Sequence, residues 1–239
     1  YAIAADTILC GNGSTELIHL LARALRTERV LIPAPTFAEY EKAVAAVQDA
    51  ECGKCRINYF VLKEKDGFRI DADAFITAMT HLCTGNLSAA AAHGCSRSSI
   101  ANRKAEMLPP RSASKNLKSS LPVVFLCNPN NPTGILTSRE DVLKIAHAAQ
   151  KLRCYLVVDE AFADFCPKHS VIDAAAHNPY LIVLRSMTKF YALAGIRLGY
   201  GVFPSPLIRR MQEIREPWTV NTIAQIAGLA ALEDGTYRT

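Results

Sequence analysis

Apolar positions along the chain recur in two rhythms. Between Ser14 and Arg26, Leu17, Ile18, Leu21, Ala22 and Leu25 fall at three- and four-residue steps, the stripe of one helical face. The segments 37–47, 138–152, 206–215 and 222–232 also read as helices. Between the helices lie short, continuous apolar runs. Residues 29–32 form one such strand, expected to stop at Pro33 and Pro35. Residues 122–127 (PVVFLC) form another, 155–158 a third that ends at Asp159, and 181–184 a fourth that ends at Arg185 and Ser186. Residues 198–203 read as a further strand. Strands that are apolar on both sides and alternate with amphipathic helices predict a three-layer α/β/α fold with a mostly parallel sheet. Ligands of such sheets sit beyond the carboxyl ends of the strands. Asn131, Asp159 and the stretch from Ser186 to Lys189 all fall there.

One segment breaks both rhythms. Residues 84–120 are rich in Ser and Ala, nearly free of large apolar side chains and without period, which predicts a mobile insertion or long loop. Its six basic residues against one acid, Glu106, account for the whole net charge of +5. The remainder of the chain is therefore neutral. With no aromatic residues in the basic segment to stack bases, neither a nucleic-acid nor a membrane partner is expected. The 239 residues are 50% hydrophobic and 21% charged, an ordinary globular composition. No run approaches the roughly 20 apolar residues that span a bilayer. The opening YAIAADTILCGNG has no basic stretch before an apolar run, so no secretory signal is expected there. Eight scattered cysteines, several in apolar surroundings, suggest a reducing cytoplasm. Cys52 and Cys55 form one CxxC, but no second ligand pair stands at zinc spacing, so no metal is expected.

Four motifs carry candidate chemistry. SMTKFYALAGIRLGY (186–200) places Lys189 just after a buried strand, where a lysine can form an imine with an aldehyde. Ser186, Thr188 and Arg197 beside it suit a phosphate dianion. Asp159, in YLVVDEAF, follows four apolar residues and needs a partner; a pyridinium N–H is a suitable one. In CNPNNPTG (127–134) the prolines fix the backbone and allow the Asn131 amide to be aimed. GNGSTELI (11–18) sets Gly13 before a helix whose first N–H groups, with Ser14 and Thr15, could hold a phosphate; helix capping explains Ser14 equally well. In APTFAEY (34–40), Phe37 could stack on a flat heterocycle or simply pack in the core.

In order and approximate spacing these motifs resemble the class I/II aminotransferases, the fold-type I pyridoxal-phosphate enzymes. The resemblance runs from about residue 7 to the C-terminus, interrupted by 84–120. Within the family the chain is similar to the histidinol-phosphate aminotransferase branch. There, GNGSTELI, PTFAEYE, DEAFADFCP and EPWTVN are most like the threonine-phosphate decarboxylases. The resemblance implies pyridoxal 5'-phosphate as cofactor, held on the large cofactor-binding domain that 1–239 would partly make up. It implies Lys189 as the Schiff-base lysine, Asp159 at the pyridine nitrogen, Asn131 at the phenolic oxygen and Phe37 on the ring. Gly13, Ser14, Thr15, Ser186, Thr188 and Arg197 would hold the phosphate. The activity implied is decarboxylation of L-threonine O-3-phosphate to aminopropanol phosphate, a step of cobalamin biosynthesis. Histidinol-phosphate or related transamination is the alternative, and a non-catalytic cofactor-binding regulatory domain a third reading. A small phosphorylated amino acid as substrate and a cytoplasmic homodimer are implied as well. Many members have Tyr where this chain has Phe162, a departure that fits the decarboxylase-like subgroup. Members also begin earlier and continue into a small C-terminal domain, so the chain is expected to be partial. The substrate-carboxylate arginine is expected in the parts not included.

Overall fold

The computed structural model describes residues 3–47, 55–85 and 121–237. In chain order the main elements are β1 (Ile8–Gly11), α1 (Ser14–Leu25), β2 (Arg29–Ala34), α2 (Glu39–Ala46), β3 (Arg56–Val61), α3 (Ala72–Thr84) and β4 (Val123–Cys127). They continue with α4 (Arg139–Leu152), β5 (Tyr155–Asp159), β6 (Leu181–Ser186), β7 (Gly199–Val202), α5 (Ser205–Ile214) and α6 (Thr222–Glu233). The strands form one seven-stranded sheet in the order β1-β7-β6-β5-β4-β2-β3. β7 runs antiparallel to both its neighbours, and the other pairings are parallel.

Period-two alternation sorts the strand residues into two cores. Phe125, Cys127, Val157, Ile182 and Leu184 pack with α1, α2 and α5 on one face. Val124, Leu126, Leu156, Val158 and Val183 pack with α3 and α4 on the other. With both faces covered, the central strands are apolar throughout, as the sequence pattern predicts. The helices start where the chain supplies an oxygen. Asp71 accepts the Ala74 N–H at 2.8 Å ahead of α3, and Asn221 that of Ala224 at 2.8 Å ahead of α6. Ser138 does the same for α4, accepting the Asp141 N–H.

The observed elements depart from the sequence reading in three places. β2 runs through Pro33 to Ala34 instead of stopping at Ile32. Only Val30 and Leu31 pair with β4, so Pro33 lies past that ladder and its missing N–H breaks no bond there. α2 begins at Glu39, which leaves Phe37 in the preceding bend at the carboxyl end of β2. β1, β3 and α3 were not singled out as elements, and Thr84 closes α3 rather than opening the loop. The rest of the expected insertion, 86–120, lies outside the described residues, as does Cys52 of the CxxC pair.

Candidate active site

At the carboxyl ends of β4, β5 and β6 a cleft opens toward the start of α1. The turn after β4 is held by two of its three asparagines. Asn128 clamps Thr137, accepting from its N–H at 2.8 Å and donating to its carbonyl at 3.0 Å. Asn130 donates to the Pro35 carbonyl at 3.1 Å and to the Thr133 hydroxyl at 2.9 Å, and accepts from the Thr36 hydroxyl at 2.8 Å. That second set ties the turn to the bend carrying Phe37. Among the described residues the side chain of Asn131 has no hydrogen-bond partner, and it lines the cleft.

Asp159, at the tip of β5, is buried. Its Oδ1 accepts the Ala161 N–H at 3.0 Å, and its Oδ2 accepts the Tyr40 hydroxyl at 2.8 Å. Burial pushes its carboxyl up to about 6, while the Tyr40 and Ala161 hydrogen bonds and the Lys189 charge pull the other way. Cys127 stands opposite Asp159 in the β4–β5 register. Burial pushes its thiol up to about 12, so it is neutral at physiological pH. Tyr40 is itself fully buried, stacked on Phe125 at 4.7 Å and edge-on to Phe37 at 5.7 Å.

Lys189 follows β6 and reaches the same cleft, its Nζ lying 5.7 Å from the Phe162 ring centroid. At the other end, Ser186 and Thr188 share a hydroxyl–hydroxyl hydrogen bond of 2.7 Å. They line the cleft together with Ser14, Thr15 and Arg197. Close packing makes that end possible. A Cβ at Gly13 (φ +83°) would fall 2.7 Å from the Arg197 guanidinium, and one at Gly199 only 2.4 Å from the Ser14 nitrogen. Only glycine lets β7 pass this near the α1 N-terminus. Arg197 holds a left-handed backbone (φ 64°), a conformation that costs on the order of 1 kcal/mol outside glycine and gathers at functional sites.

Ten residues were singled out as site candidates from the sequence. Nine of them line this one cleft, and the tenth, Gly13, abuts Arg197 at its edge. The sequence pattern of the aminotransferase class I and II family matches residues 2–238. The chain belongs to the class I and II aminotransferases. It is 35% identical over 240 residues to the threonine-phosphate decarboxylase of Salmonella typhimurium, covering 100% of this chain and 54% of that protein. Against the histidinol-phosphate aminotransferase of Leuconostoc citreum the identity is 33% over 238 residues, 97% of this chain and 54% of that one. The fold is that of the crystal structure of the histidinol-phosphate aminotransferase from Clostridium acetobutylicum. That match has a TM-score of 0.71 and 25% identity, and covers 97% of this chain and 56% of the other. The chain thus spans about half the length of the relatives it matches.

Class I and II aminotransferases are pyridoxal-phosphate enzymes, and the cleft suits that cofactor by its donor set. At one end are helix N–H groups, four hydroxyls and a guanidinium, the partners a dianion needs. At the other are a buried carboxylate and an amide with unused hydrogen-bonding capacity. No group of three or more His, Cys, Asp or Glu suited to a metal occurs among the described residues. Two features of this cleft escaped the sequence reading. One is Tyr40, three residues after Phe37 at the start of α2, which on sequence looks like any core aromatic. The other is the ion network behind the cleft. Arg185, fully buried, donates to Glu160 at 2.8 Å and to Ser170 at 3.2 Å and also pairs with Asp164. Glu160 accepts the Val171 N–H at 2.7 Å as well. A basic residue at a buried strand end, 25 positions from an acid, was the available signal.

Proposed function

We propose that the protein carrying this chain binds pyridoxal 5'-phosphate in the cleft and decarboxylates L-threonine O-3-phosphate to aminopropanol phosphate. The observation that carries the reading is the meeting of one amine, one buried carboxylate, one amide without a partner and one anion cradle around a single cleft. Bound there, the cofactor supplies an aldehyde for condensation with amines and a ring that takes up the electron pair left when a bond at Cα breaks. The α1 N-terminus, Ser186, Thr188 and Arg197 would grip the phosphate, with Gly13 leaving them room. Phe37 would cover a ring face. Asn131 would donate to the phenolic oxygen, and Asp159 would hold a proton at the ring nitrogen. Lys189 would be the amine that anchors the cofactor and the group that returns a proton to Cα of the substrate, in place of the carboxylate lost as CO2.

Support for the decarboxylase over its relatives comes from the 35% identity to one across the whole chain, and from Phe162 at a cleft position. Histidinol-phosphate transamination is the second reading, favoured by relatives of nearly equal identity. The assay uses the full-length protein. CO2 released from L-threonine O-3-phosphate, with no keto acid formed, is the expected result. Glutamate formed from histidinol phosphate and 2-oxoglutarate would replace it with the second reading, and no turnover of either would overturn both.

A cytoplasmic homodimer completes the reading. Free thiols at six described cysteines suit a reducing compartment. On α6, Ile223 (71% exposed), Ile226 (64%) and Leu229 (64%) present an apolar face of the kind a subunit contact covers. Sedimentation of the full-length protein as a monomer at micromolar concentration would remove the dimer.

A further inference from the structure

Asp159 has an unusual setting for a carboxylate expected to hold a positively charged ring. It is buried, and Lys189 acts on it through charge alone, without a hydrogen bond among the described residues. The groups facing it are Tyr40 from α2, Cys127 from β4, Lys189 after β6, and Glu160, its neighbour in the chain. Cys127 is a neutral thiol. Glu160 carries a like charge that opposes ionisation of Asp159, and it is committed to Arg185. The direct donors are the Ala161 N–H and the Tyr40 hydroxyl. The hydroxyl is fixed in place, because the Tyr40 ring is sandwiched between α2 and the sheet, stacked on Phe125 with a 13° angle between planes.

We propose that Tyr40 is a positioning residue which, through its hydrogen bond to Asp159 Oδ2, keeps that carboxylate ionised and so sets the lower pH limit of cofactor capture. The inference rests on the functional reading above. A hydrogen bond donated to an ionised acceptor favours the ionised form. Here it opposes the burial that pushes the carboxyl up. The sign follows: removing the hydroxyl raises the acid's pKa further, so the site loses its charge at a higher pH. A ring carrying a proton on its nitrogen then meets a protonated acid and must shed one proton to bind. The affinity therefore falls with decreasing pH from a higher starting point.

The test measures binding of pyridoxal phosphate to the cofactor-free full-length protein by fluorescence titration between pH 5 and 8. It compares the unaltered protein with Tyr40→Phe, which retains the stacked ring. A parallel series uses the carbocyclic analogue, with C–H in place of the ring nitrogen. In the variant the acid limb of the affinity profile should move up by about one pH unit, a tenfold loss of affinity on its acid side. The analogue, which has the same phosphate but asks nothing of Asp159, should lose no affinity. Equal losses for both ligands at every pH would reduce Tyr40 to a packing residue and overturn the inference, as would an unmoved limb. Absence of saturable binding to the unaltered protein is a different result. It would overturn the functional reading and the inference with it.

Discussion

Asp159 and Glu160 are consecutive residues, exposed to 2% and 1%, and they meet burial in opposite ways. Glu160 turns behind the sheet into a saturated network: the Arg185 guanidinium, the Ser170 hydroxyl and the Val171 N–H all serve its carboxylate. Asp159 turns into the cleft, where its direct donors are a neutral hydroxyl and one backbone N–H, and burial raises its pKa to about 6. One acid is compensated by the fold itself. The other is left undercompensated at the point where a ligand would complete it. A buried charge with its partner in place is architecture, whereas one held short of a partner marks a site.

The largest effect that would break this comparison is on the compensated side. Arg185→Met strands Glu160 without its cation. Removing one member of a buried pair typically costs about 3–5 kcal/mol. The unfolding midpoint of the protein in urea should fall accordingly. Pairing the change with Glu160→Gln should recover part of the loss, because Asp164 is then the one acid left without the Arg185 cation. A single-variant loss under about 1 kcal/mol would show that the network does not hold the strand ends together.

The next effect has the opposite sign. Asp159→Asn should stabilise the cofactor-free protein at neutral pH while abolishing tight cofactor binding. The folded-state pKa of Asp159, about 6, lies above its ordinary 3.8. Between those values the folded state binds more protons than the unfolded one, so stability falls as pH rises through that window. Below about pH 4 both states carry the neutral acid, and the variant should gain nothing. Above about pH 6 it should gain about 3 kcal/mol. The amide can still accept from the Ala161 N–H and donate to the Tyr40 oxygen, whose hydroxyl hydrogen is free to rotate. Urea unfolding at pH 4 and at pH 7.5 reads both halves, and a gain of equal size at the two pH values would contradict the assignment.

The same division explains which parts of the molecule could be read from the chain. β4, β5 and β6 are buried on both faces, so their apolar runs stand out, and the polar residues at their ends mark the cleft. β3 is an edge strand, half-buried along most of its length, and β1 has four residues; neither leaves a pattern distinct from its surroundings. The reversed direction of β7 depends on what it pairs with, which periodicity does not report. In the site, Asn131, Asp159 and Lys189 were legible because a polar residue just past a buried strand needs a reason. Tyr40 was not, because an aromatic on a helix facing the sheet already has one. The bond from its hydroxyl to Asp159 joins residues 119 positions apart.

The smallest stability effect, and the sharpest contrast, lies in the turn after β4. Asn130 and Asn131 are adjacent and chemically identical, yet the structure uses them differently. Asn130 makes three side-chain hydrogen bonds that join two loops. Its replacement by Ala should cost about 2 kcal/mol, since it leaves buried donors and acceptors unmatched. Asn131 makes none among the described residues and faces the cleft. Asn131→Ala should leave the stability of the cofactor-free protein within about 0.5 kcal/mol. It should nonetheless weaken pyridoxal-phosphate binding by about tenfold or more, the worth of a hydrogen bond to a charged oxygen. Thermal unfolding without cofactor, set beside a cofactor titration, separates the two quantities. If Asn131→Ala unfolds early and binds normally, then the unpartnered amide is part of the scaffold, and the rule that separates Asp159 from Glu160 does not extend to the asparagines.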